Sequence, residues 1–119
     1  MDKLFDILFL DETFEFLRHL DKKHYEKILF NIRKAQTSHD PELFKKLKDD
    51  IWEFRTLYQG VHYRLLAFWD KTSSENTLVI ATHGIIKKTS KMAEREIEKA
   101  KQIRIQYFEG IEINKKIKK

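Results

Sequence analysis

At 119 residues, with one Pro, three Gly and no visible repeat, the chain is the size of one domain and has no flexible linker to divide it. Cysteine is absent, which excludes disulfides, thiolate-bound zinc and a thiol nucleophile and fits a reducing cytoplasm. The net charge of +5 is lopsided: from Lys87 onward 11 basic residues face 5 acidic ones, against 13 and 14 in the first 86 residues, so the excess lies either where a polyanion is met or in a solubilising tail.

Leu4 to Leu10 is short, rich in Phe, Leu and Ile and bounded by acids, which predicts a strand buried on at least one face. Asp6 interrupts it, so it is neither a signal peptide nor a membrane span, and a soluble cytoplasmic protein with no membrane partner is expected. Asp11 can cap a first helix with Phe14, Leu17 and Leu20 as its apolar stripe. Asp21 caps a second, in which Tyr25, Ile28, Leu29 and Ile32 recur at i, i+3, i+4, i+7. Asp40-Pro41 then starts a short helical turn from Glu42 to Leu47.

The period changes to two at Trp52, Phe54, Thr56 and Tyr58. Gln59-Gly60 makes a turn, Val61 to Asp70 forms the next strand, and a polar loop from Lys71 to Asn76 leads to a third at Thr77–Thr82. Short loops between sequential strands indicate an antiparallel meander. A last helix is predicted from about Lys91 to Tyr107, with Met92, Ile97, Ala100 and Ile103 inward. The fold class is therefore α+β: an antiparallel sheet with the N-terminal helical hairpin on one face, the opposite face partly open, and a C-terminal helix. Residues 1–110 form the domain and 111–119 a basic tail without structure of its own in the free protein.

Three polar clusters interrupt the sheet pattern. Glu53 and Arg55 share one face of their strand, His62 and Arg64 share one face of the next, and His83 with Lys87 and Lys88 ends the last. Pairing would gather them around one concavity. Cleavage of RNA by its own 2′-hydroxyl needs a proton acceptor, cations for the charge growing on phosphorus, and a donor for the departing 5′-oxygen. Arginine forks suit the phosphate, and His62 or His83 suits proton transfer. No metal-ligand spacing is present and no cofactor is expected. The same residues have a plainer reading, with Glu53 and Arg55 paired at a solvated sheet face, His83 structural, and Trp52 and Trp69 in the core. His19, His24 and His39 read as surface residues.

The run Ile51-Trp52-Glu53-Phe54-Arg55, then Tyr63-Arg64-Leu65-Leu66, then His83-Gly84-Ile85-Ile86-Lys87-Lys88-Thr89 resembles, in order and spacing, the phage-derived HigB-like branch of the RelE/ParE toxins. Glu94 to Tyr107, with Ile97, Ala100, Arg104 and Tyr107, resembles that branch's last helix. The resemblance implies a RelE-like fold and a toxin of a type II toxin–antitoxin system that cuts mRNA on the ribosome, an mRNA interferase inhibiting translation. It also implies a helix-turn-helix antitoxin, with ribosome and mRNA as partners. By position, Arg64 and Arg55 would hold the scissile phosphate, Lys87, Lys88 and His62 would bind RNA, and His83 or Glu53 would move protons. Two positions depart from the best-known RelE enzymes: Glu53 stands where they carry a lysine, and Ser90–Arg95 holds no Tyr. These departures keep open a ParE-like toxin that binds gyrase without cutting, or a degenerate relative that only binds RNA or its antitoxin.

Overall fold

The computed structural model describes residues 3–73 and 77–117, with side chains described through residue 110. The elements run β1 (Asp6–Phe9), α1 (Asp11–Arg18), α2 (Lys22–Gln36), β2 (Phe44–Lys48), β3 (Ile51–Tyr58), β4 (Val61–Asp70), β5 (Leu78–Lys87) and α3 (Glu94–Ile117). They form one five-stranded sheet in the order β1-β5-β4-β3-β2. Every neighbouring pair is antiparallel except β1 with β5, which is parallel. The α+β reading and the meander are therefore present, enlarged by β2. Among the described residues no helix is long and apolar enough to cross a membrane.

The two faces of the sheet bury different partners. On one, α1 and α2 bring Leu17, Ile28, Ile32 and Ala35 against Phe5, Phe54, Tyr63 and Leu65. Polar pins fix that layer: the buried Thr13 hydroxyl donates to the Ala81 carbonyl at 2.8 Å, and the Gln36 amide donates to the Phe5 carbonyl at 3.0 Å. On the other face Ile97 and Ala100 of α3, with Met92 just before it, cover Ile51, Leu66, Phe68 and Ile80. The helix covers only part of this face, and the rest is open.

Three local expectations are corrected. Residues 44–48 form a strand, not a helical turn. Phe44 gains more by stacking on Phe54 at 4.3 Å and Trp52 at 4.9 Å than the Asp-Pro start gives a helix, so tertiary packing overrides the local signal. Only a turn remains at Asp40, whose carboxylate accepts from the Glu42 amide at 2.9 Å. In α1, Phe14 is exposed, and Thr13, Phe16 and Leu17 supply the inward side instead. The last helix continues to Ile117, so the backbone of 112–117 is helical where an unstructured tail is expected. The tail's last residues, 118–119, and positions 74–76 of the polar loop lie outside the described residues.

At Gly84 the Phe16 ring of α1 lies directly on the β5 backbone. A Cβ there would stand 2.3 Å from the Phe16 ring, which itself packs edge-on against Tyr63. Gly84→Ala should therefore force Phe16 outward and cost about 1–3 kcal/mol, the usual scale of overpacking. Urea unfolding measures this, and an unchanged midpoint would show that α1 is not held this tightly.

Candidate functional site

The open part of the α3-side face is organised by strand register. Arg55 pairs directly with Arg64, and Arg64 with Ile85, while His62 pairs with Lys87. Directly paired residues project to the same side, so period-two alternation brings Glu53, Arg55, His62, Arg64 and Lys87 to one face of three adjacent strands. They form a hollow of about 430 Å³ lined by Arg55, His62, Arg64, Lys87 and Lys88, with Thr89 and Ser90 at its rim. Five of the seven residues named for chemistry thus line it.

Glu53 lies under the hollow rather than in it. Its side chain is 2% exposed, and its two oxygens face Arg64 Nε at 3.4 Å and Arg55 Nε at 3.6 Å. Enclosed between two guanidinium groups, it holds them side by side but has no open path to a proton on a bound substrate. Arg64 is 5% and Arg55 24% exposed, so Arg55 is the more open of the two. One Arg64 Nη donates to the Tyr63 carbonyl at 2.9 Å, and an Arg55 Nη lies 3.7 Å from Glu42. Burial lowers the Arg64 pKa; Glu53 works against that and Arg55 with it. A guanidinium keeps its charge through such shifts. Lys87 is also lowered, first by burial and then by Arg64, with Arg55 and Lys45 adding to the effect and Glu53 opposing it. Mutual repulsion of this kind marks a site able to stabilise an anion.

His83 does not reach the hollow. It shares the face, but α3 covers it, leaving it 1% exposed. Its Nε2 lies 3.0 Å from Glu96 Oε1 and its Nδ1 2.9 Å from the Thr82 hydroxyl. In a neutral ring with Nε2–H donating to the carboxylate, Nδ1 accepts from the Thr82 hydroxyl, whose one proton it shares with the Leu66 carbonyl 3.2 Å away. Strand alternation places His83 on this face, whereas its enclosure depends on how far α3 extends over the sheet.

The structure adds residues that sequence reasoning missed. Lys45 stands opposite Glu53 in the β2–β3 ladder, a position hidden by reading that segment as helix. His24 is not a lone surface residue: Nδ1 lies 2.7 Å from the Tyr63 hydroxyl and Nε2 3.0 Å from Gln59 Oε1, tying α2 to the β3–β4 turn. No periodicity signals that contact, which spans 39 positions. Trp52 and Trp69 are half-buried and border a surface groove rather than lying inside the core. Among the described residues no group of three or more His, Asp or Glu is placed to hold a metal ion.

Fold and hollow together define a small α+β protein that presents clustered cations on the open part of one sheet face. Residues 15–104 match the family model described as Phage derived protein Gp49-like (DUF891). The chain belongs to that phage-derived family, which is part of the RelE/HigB-type toxin superfamily and is associated with toxin–antitoxin systems. A search of curated proteins gave no match.

The burial of His83 has a pH consequence. Burial lowers its pKa below the ordinary 6.5, outweighing the Glu96 hydrogen bond. The unfolded chain then binds a proton more readily, so this contribution to stability is full above pH 6.5 and is lost as pH falls through the lower folded value. The stability difference between wild type and His83→Gln should shrink between about pH 7.5 and pH 5.5. Denaturant titrations across that range measure it, and a difference that grows on acidification would contradict the assignment.

Proposed function

We propose that this chain is the toxin of a type II toxin–antitoxin pair, of the HigB-like branch, and that it cuts messenger RNA on the ribosome. The observation that carries this reading is the convergence of Arg55, Arg64 and Lys87 on one open hollow in a member of a toxin-associated family. The matching partner is an antitoxin encoded alongside, expected to carry a helix-turn-helix domain.

In this reading a backbone phosphate enters the hollow and meets the Arg55 and Arg64 forks, which are fixed by Glu53 before substrate arrives. The ribose 2′-hydroxyl attacks phosphorus, the 5′-oxygen leaves, and a 2′,3′-cyclic phosphate forms. Negative charge on the phosphate oxygens grows toward the transition state, so prepositioned guanidinium groups lower the barrier. Lys87 and Lys88 hold the neighbouring backbone. His62, exposed at the rim, is the residue available to move a proton, since Glu53 and His83 are both enclosed.

Purified protein added to a translating extract should cleave messages within codons at the ribosomal A site. Arg64→Ala, checked for folding by circular dichroism, should reduce cleavage about 100-fold or more, and His62→Ala by about 100-fold. Intact messages at concentrations that stop growth would remove the proposal. The enclosure of both Glu53 and His83 favours a second reading, in which the hollow binds without cutting, as in gyrase-binding toxins of this superfamily. Inhibited gyrase supercoiling with untouched mRNA would identify that case.

A further inference from the structure

A second concavity, of about 890 Å³, opens around the β2 edge and is bordered by Phe44, Trp52, Trp69, Lys46 and Lys71, with Lys45 at its margin. Its rings form an ordered run. Phe44 stacks on the buried Phe54 at 18° and on the half-buried Trp52 at 29°, and Trp52 meets the Trp69 edge at 5.6 Å. The Lys71 ammonium lies 5.5 Å from the Trp69 ring centre. Lys45 and Lys46 are exposed and hold no ion pair among the described residues. On α3, Arg104 lines the same groove, and its buried Nε has no hydrogen-bond partner among the described residues. Cations outnumber the two bordering acids, Asp40 and Asp50.

We infer that this groove binds single-stranded RNA flanking the cleaved phosphate, with a base stacked on Trp52 and the backbone on Lys45, Lys46 and Lys71. Lys45 is the link between the two sites. It borders the groove, yet it stands opposite Glu53 on the hollow's face and is among the charges acting on Lys87. A strand gripped at Arg55 and Arg64 therefore meets Lys45 as it crosses the β2 edge, passing the exposed Glu42 carboxylate 3.7 Å from Arg55. Half-buried aromatic rings interleaved with lysines are the arrangement that recognises unpaired nucleotides, because every base offers a face to stack and every step a phosphate. The inference rests on the RNA-cutting reading and adds to it where the message lies outside the reacting bond.

The chain's two tryptophans both border the groove, so its intrinsic fluorescence reports on it directly. Titration with an unstructured RNA of about 12 nucleotides should quench that fluorescence saturably. Trp52→Ala should weaken binding of a labelled RNA about tenfold. Lys46→Ala combined with Lys71→Ala should make the log–log salt slope shallower by about 1.4. Arg64→Ala should lose cleavage in the extract but keep the quench. Equal quenching by inorganic polyphosphate, or RNA binding that leaves the tryptophans unchanged, would overturn the inference. So would quenching by the antitoxin but not by RNA, or by an RNA hairpin in preference to the single strand. Cleavage without quenching sinks only the groove; quenching without cleavage sinks only the nuclease.

Discussion

One buried carboxylate sets the arrangement of the hollow. Arg55 and Arg64 are directly paired across β3 and β4, a placement in which like charges repel. Glu53, two residues before Arg55 and on the same face, puts a negative charge against both, at 3.6 Å and 3.4 Å. Ion pairs this enclosed return little net stability, because desolvation offsets the attraction. What they fix is geometry: two planar cations stand close together, and in the proposed function no reorganisation would be needed when an anion arrives.

The C-terminal helix decides how much of this remains open. Ile97 and Ala100 seal the lower part of the sheet face and close His83 in with Glu96, while the upper part, where Arg55, Arg64 and Lys87 stand, stays uncovered. The sheet can give up that side because α1 and α2 supply a complete core on the other, with Phe16 pressed against Gly84. One face of these strands thus carries the complete core and the other the clustered cations.

Much of this is legible in the amino acids alone. Alternation over Trp52–Tyr58 and Val61–Asp70 fixes which side chains share a face, and placing Arg55 beside Arg64 needs only the Gln59-Gly60 turn between them. What the sequence hides is set by distant contacts. The β2 strand exists because Phe44 finds Phe54 and Trp52, not because Phe44-Lys45-Lys46-Leu47-Lys48 alternates, and with it went Lys45. The roles of Glu53 and His83 depend on depth rather than spacing. Both fall on the expected face, and both are enclosed, one by guanidinium groups and the other by a helix. The hydrogen bonds of His24 to Tyr63 and Gln59 depend on how α2 lies across the sheet, which no local pattern encodes.

The proposed chemistry is attack by the message's own 2′-hydroxyl, promoted by a hollow of fixed cations. The most direct measurement is the structure of the cut ends, together with the response to a message carrying a single 2′-deoxynucleotide on the 5′ side of the cut bond. A 2′,3′-cyclic or 3′-phosphate on the upstream fragment and no cut at the deoxy position are expected. A 3′-hydroxyl end, or undiminished cutting of the deoxy message, would contradict it.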